Sequence, residues 1–175
     1  TFDMTSNTEG ICCRFVYDGY YEFYPFPCVL EIHYALGAQG FSFKAIVRNT
    51  GTEPLPFHIG WHPYFKISEN WGLSPKPTAR LSKNKFSHPG EKIPYAGHQW
   101  TEEVDGAFYY SDNLQLCNED YILEITAIAP MVQIFRPANA PFIAVEPVTG
   151  LGHLDFPWLE VAPGQHREIR SAIIL

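Results

Sequence analysis

The segment Pro56-Phe57-His58-Ile59-Gly60-Trp61-His62-Pro63-Tyr64-Phe65 holds the densest group of chemically capable side chains in the 175 residues. A proline disfavours the helical region for the residue before it, so Pro56 and Pro63 predict an extended stretch. His58, Gly60, His62 and Tyr64 then share one face, with Trp61 and Phe65 on the other. Imidazole titrates near neutral pH and can serve as a general acid. Gly60, lacking a side chain, leaves room for a ligand to approach the backbone. The same spacing suits two buried, hydrogen-bonded histidines equally well, and the sequence leaves both readings open. It does not suit a metal: His-x-x-x-His signals zinc on a helix with a glutamate beside the first histidine, and Gly60 and Pro63 oppose a helix.

A second segment, Ala140 to Gly150, places the lone carboxylate Glu146 at the end of an apolar strand. Ile143, Ala144, Val145 and Pro147 would partly desolvate it, raising its pKa toward the range useful for a general base. A solvated glutamate at a strand end is the plain alternative.

The elements that must carry these groups show period-two alternation. Phe41, Phe43, Ala45 and Val47 interleave with Ser42, Lys44, Ile46 and Arg48, and Leu30, Ile32, Tyr34 and Leu36 with Glu31, His33 and Ala35. Similar runs at Ile11–Val16, Thr78–Ser82, Leu114–Cys117, Tyr121–Ile125, Met131–Phe135, Phe142–Glu146 and Glu168–Ile174 bring the expected total to about ten strands. Turn formers such as Asn49-Thr50-Gly51, Asn118-Glu119-Asp120 and Ala162-Pro163-Gly164 separate them. Fifteen prolines and thirteen glycines are spread throughout, and no run of about 12 residues keeps helical spacing. The prediction is one all-β domain over residues 1–175, an antiparallel β-sandwich, with long loops at Glu69 to Glu103 over one end of the sheet. Phe2 and Met4 already alternate against Asp3 and Thr5, as in a strand under way, so an upstream portion is expected to be missing.

Composition narrows the partners. The chain is 46% hydrophobic and 15% aromatic, enough apolar surface for a core, and its net charge of −7 opposes binding to nucleic acid or to an anionic membrane surface. No stretch approaches the ~20 apolar residues of a membrane span, and the first twenty residues lack the features of a signal peptide. Cys12, Cys13, Cys28 and Cys117 show no C-x-x-C spacing; free thiols in a soluble, cytoplasmic protein are expected.

Taken together, the strand Phe41–Arg48, the turn Asn49 to Pro56, Gly60-Trp61-His62-Pro63-Tyr64-Phe65, Val132-Gln133-Ile134-Phe135, Ala144-Val145-Glu146-Pro147-Val148-Thr149-Gly150 and Leu159 to Gly164 resemble the aldose 1-epimerase (galactose mutarotase-like) family, in the family's order. The resemblance runs from about Cys28 to the C-terminus. It implies a large twisted β-sandwich that holds a sugar on one concave face and interconverts the α and β anomers of an aldose. His62 falls on the family's catalytic histidine and Glu146 on its catalytic base. Asp105, in Val104-Asp105-Gly106-Ala107-Phe108, matches a position that binds sugar hydroxyls, although Asp-Gly is also a preferred hairpin pair. His58 and Gln133 join it as substrate-binding candidates, and Tyr64, Trp100 or Tyr95 could offer an apolar face to the sugar ring.

The implied chemistry needs neither cofactor nor metal. Glu146 would take the proton of the C1 hydroxyl while His62 protonates the ring oxygen, each positioned transfer being worth roughly 10²–10⁴ in rate. Family members carry an N-terminal portion of the sandwich with no counterpart before Phe26, so a site short of one wall is expected, with the open edge pairing either with a second copy or with the missing segment. A non-catalytic carbohydrate-binding module is the alternative. A phosphorylated sugar would call for gathered cations from Arg80, Lys83, Lys85 or Arg136; a neutral aldose is expected.

Overall fold

Alternating side chains demand two-sided strands, and strands are what form. The computed structural model describes residues 1–83, 89–95, 103–110, 112–126, 131–151 and 158–175, and among these every regular element is a strand. In chain order they are β1 (Phe2–Asn7), β2 (Gly10–Tyr17), β3 (Cys28–Gly37), β4 (Gly40–Asn49), β5 (Leu55–Phe57), β6 (Tyr64–Lys66), β7 (Gly72–Ser74) and β8 (Ala79–Lys83). There follow β9 (Pro89–Pro94), β10 (Val104–Tyr109), β11 (Leu114–Cys117), β12 (Ile122–Ile125), β13 (Met131–Arg136), β14 (Phe142–Pro147), β15 (Leu159–Val161) and β16 (His166–Ile174). The chain divides into two compact units, Thr1–Phe57 with Trp158–Ala172, and His58–Pro157 with Ile173–Leu175.

In the first unit β1, β2, β3 and β4 follow one another as antiparallel neighbours, β16 lies beside β4, and β5 pairs with β15. The register sets Tyr34 opposite Phe43 and Ile32 opposite Ala45, so the apolar residues of both strands share a face on which Phe43, Ala45 and Val47 are buried. Cys12 and Cys13 turn to opposite faces, opposite His33 and Ile32 respectively. Where β4 ends, Asn49 is almost wholly buried and fully used. Its Nδ2 donates to the carbonyls of Glu53 (2.7 Å) and Val161 (2.8 Å), and its Oδ1 accepts from the Gly51 amide (2.8 Å). One side chain thus closes the Asn49-Thr50-Gly51 turn and ties it to β15. The turn after β15 is completed by Gly164 at φ +72°, a conformation that glycine adopts without a Cβ penalty.

The second unit is a sandwich. One layer is a six-stranded antiparallel sheet in the order β6-β14-β13-β10-β8-β9; the other holds β12-β11-β7, with Ile173 and Ile174 of β16 alongside β12. Between them lies a core of Phe65, Phe108, Val132, Ile134, Ile143 and Val145 from the first layer, and Leu73, Leu114, Leu116, Leu123 and Ile125 from the second. Every residue that the six-stranded sheet sends into this core has a neighbour in sequence pointing the other way. That other face is where Glu146, Gln133 and Asp105 stand.

One expectation is corrected and one alternative is set aside. The stretch Glu69 to Glu103 contains β7 and β9 besides the strand expected at Thr78–Ser82, which forms as β8; buried Leu73 supplies the inward side chain of β7 that the surrounding Ser, Pro and Lys content obscures. Asp105-Gly106 is not a hairpin turn but lies within β10, opposite Phe135 and Ile134.

Candidate active site

Placement of the site begins at the edge strand. β6 pairs with β14 through Tyr64 opposite Ala144, and the register continues past the end of β6 to an isolated bridge between Gly60 and Val148. Between those two points His62 comes opposite Glu146. The Trp61 amide donates to the Pro147 carbonyl (3.4 Å), the Val145 amide to the Pro63 carbonyl (3.3 Å), and the Thr149 amide to the Ile59 carbonyl (2.8 Å). The Ile59 amide in turn donates to the Thr149 hydroxyl at 2.8 Å. Pro63 lies opposite Val145, where its carbonyl accepts a ladder bond that its nitrogen cannot return, and it keeps His62 extended.

The outcome is a pair. His62 Nε2 lies 3.1 Å from Glu146 Oε1, with the Glu146 side chain 13% exposed and that of His62 50% exposed. Next to Glu146 across the sheet stands Gln133, whose Nε2 donates to Asp105 Oδ1 at 2.8 Å. The face therefore carries an imidazole, two carboxylates and an amide, with the small side chain of Ala107 opposite Gln133. Burial pushes the Glu146 carboxyl above its ordinary range; the imidazole of His62 opposes that shift and the nearby Asp105 adds to it. A carboxylate so desolvated, touching an imidazole, can accept a proton while the imidazole gives one to a neighbouring atom of the same molecule.

The remaining candidates are placed as follows. Tyr64 is on the same face, its ring stacked on His62. His58 is on the face too, but four residues back along the chain, where its ring fills the space above Gly150: a Cβ on Gly150 would come within 2.2 Å of it. Burial lowers the His58 pKa, and the structure does not bring this residue to the His62–Glu146 pair. Gly60 departs from expectation, because the space it leaves is taken by Val148, whose Cγ1 would lie 2.6 Å from an added Cβ. Tyr95 packs edge-on against Phe108 in the core rather than facing the site. Trp100 and Lys85 lie outside the described residues. Arg80 and Arg136 stand opposite Phe108 and Val104, on the face turned away from Glu146.

Sequence reasoning passed over Phe135 and Phe142. Phe135 lies opposite both Asp105 and Ala144, and Phe142 meets Tyr64 edge-on at 5.4 Å. Their signal was present: two residues from Gln133 and four from Glu146, strand parity puts both on the site face.

This fold is that of galactose mutarotase-like proteins. The chain is similar to a galactose mutarotase-like protein from Lactobacillus casei (TM-score 0.83, 19% identity, 99% of this chain and 72% of that one). It is similar also to a candidate aldose 1-epimerase from Escherichia coli K12 (0.82, 17%, 99% and 67%) and to an aldose epimerase homologue from C. elegans (0.81, 14%, 99% and 67%). It spans about two thirds of the length of the latter two. No curated protein matches it. The family model for aldose 1-epimerase matches residues 1–140, and the chain belongs to that family. The match takes in His62, Asp105 and Gln133 and stops short of Glu146.

Proposed function

We propose that the protein interconverts the α and β anomers of a neutral aldose by opening and closing the sugar ring, with Glu146 as general base and His62 as general acid. The observation that carries this reading is the 3.1 Å approach of His62 Nε2 to Glu146 Oε1 on one sheet face, beside the hydrogen-bonded Asp105 and Gln133. The C1 hydroxyl and the ring oxygen of a pyranose are neighbouring atoms on one carbon, so the acid and base that serve them must themselves be close. Glu146 accepts the proton from the C1 hydroxyl as His62 gives one to the ring oxygen. The C1–O5 bond breaks, an aldehyde forms, and rotation about C1–C2 followed by the reverse transfers closes the other anomer. Asp105 and Gln133 hold sugar hydroxyls, and their mutual hydrogen bond fixes both before the sugar arrives. The cycle consumes no redox equivalent and leaves both residues as they began.

Polarimetry and NMR anomer exchange on α-glucose and α-galactose test the reading, with calorimetry for binding. The expected result is exchange above the spontaneous rate, reduced on the order of 10²-fold in Glu146→Gln with sugar affinity little changed. Binding without exchange would instead make the protein a carbohydrate-binding module. A cytoplasmic location belongs to the same reading, resting on the lack of a disulfide framework in the cysteine spacing.

A further inference from the structure

One aromatic contact on the site face is more specific than a sugar wall needs to be. The Tyr64 and His62 rings are stacked, with centroids 4.8 Å apart and planes 24° from parallel. Behind Tyr64 stands Phe142, edge-on, with centroids 5.4 Å apart at 75°. Tyr64 is nevertheless 58% exposed. A ring that exposed contributes little to the core, and one of its faces is already taken by the imidazole.

We infer that Tyr64 is a positioning residue that acts through His62: it holds the imidazole in the one orientation that directs Nε2 at Glu146 and at the atom to be protonated. The torsion of a histidine ring about its Cβ–Cγ bond is broad and roughly two-fold, so an imidazole half in solvent has no intrinsic reason to keep one edge on a carboxylate. His62, half-exposed, is in that position. Stacking removes the freedom, since rotating the imidazole would lift it off the tyrosine face and forfeit the attraction of an offset aromatic pair. Phe142 then keeps Tyr64 from swinging away. The backbone supports the arrangement: Pro63 keeps His62 extended, which places residues 62 and 64 on one face, and the pairing of Tyr64 with Ala144 fixes the lower ring. Ala144 is fully buried opposite Tyr64, and its small side chain leaves the tyrosine ring room to lean toward His62. The order of support is Phe142 to Tyr64 to His62 to Glu146, and only the last two touch the reacting atoms.

The inference rests on the anomer-exchange reading, and its test separates the two. Tyr64→Ala should lower kcat for anomer exchange roughly tenfold while KM changes less than twofold, because what is lost is orientation of the acid and not a substrate contact. Tyr64→Phe, which keeps the ring, should recover most of that loss. In a His62→Ala background Tyr64→Ala should cost nothing further, since a residue acting through His62 has nothing left to act on. A raised KM at unchanged kcat would overturn the inference and make Tyr64 a sugar wall, as would an equal loss in the presence and absence of His62. The NMR signals of the His62 ring provide a readout independent of turnover. In the parent and in Tyr64→Phe they should be shifted upfield by the neighbouring ring, and in Tyr64→Ala they should return toward free-histidine positions. Unshifted parent signals would sink the inference whatever the kinetics. If the parent shows the shift but does not exchange anomers, the epimerase reading fails on its own, and the ring signals of the variants still decide whether Tyr64 orients His62.

Discussion

Glu146 works in a setting that its own ionisation opposes. Burial raises its pKa above the ordinary carboxylate value of 4.5, so the folded protein holds this proton more tightly than the unfolded chain does. Stability from this group is therefore present below the ordinary value and is lost as pH rises through the folded one. Glu146→Gln removes the conflict. The variant should resist urea better than the parent at about pH 7, and the two should converge near about pH 4, where the parent carboxyl is protonated in both states. Urea midpoints at the two pH values check this. In the proposed reaction the dependence runs the opposite way, because a base must be ionised: the acid limb of kcat/KM should fall at a pH above that of an ordinary carboxylate. His62→Asn should lose rate as Glu146→Gln does, and the double variant should lose far less than the product of the two, as residues acting as a unit are not additive. Single and double variants compared by NMR anomer exchange test that.

At the scale of elements, the site depends on an edge strand that is only three residues long by its regular pairing, β6. What extends its register to His62 is the set of bonds between Ile59–Pro63 and Val145–Thr149, one of them made by the Thr149 hydroxyl. Gly60 is required there by the close approach of the Val148 side chain, a packing reason and not a ligand one. In the first unit Asn49 does comparable work for the β4 turn. Asn49→Ala leaves the Glu53 and Val161 carbonyls and the Gly51 amide without the partner they have now. It should lower stability by about 3 kcal/mol, given roughly 1–3 kcal/mol for each buried group left unpaired and partial relaxation of the turn. Chemical denaturation of the variant measures it, and a loss under about 1 kcal/mol would mean that water replaces the side chain.

For the whole molecule, charge bears on the choice of substrate. A net charge of −7 and two carboxylates on the site face repel an anionic sugar, and two of the cations that could have gathered around a phosphate, Arg80 and Arg136, are on the opposite face. Anomer exchange of a hexose 6-phosphate should accordingly be slower than that of the free hexose, with the gap narrowing as salt is raised and the repulsion screened. Exchange rates for both sugars at low and high ionic strength test this. Faster turnover of the phosphate would point to cations supplied from outside the described residues.

Much of this protein was legible in the residues themselves. Strand character was, because a period of two in apolar side chains has one physical solution, a sheet with one buried face, and the run at Phe41–Arg48 follows it with Ile46 alone out of step. That His62 and Tyr64 share one face was legible for the same reason, since parity is local; that Gln133 and Glu146 join them was not. Other features were not, because they depend on which strands become neighbours. Nothing near Asp105 in sequence distinguishes a hairpin turn from a strand; its place opposite Phe135 decides that. Gly60 reads equally well as a gap for a ligand until β14 brings Val148 against it. Apart from the run at Thr78–Ser82, Glu69 to Glu103 looks like loop until Leu73 finds a core to enter. The 3.1 Å meeting of His62 with Glu146, 84 residues apart in sequence, belongs to the same class: only the pairing of an edge strand with β14 brings the two groups proposed as acid and base onto one face and to that distance.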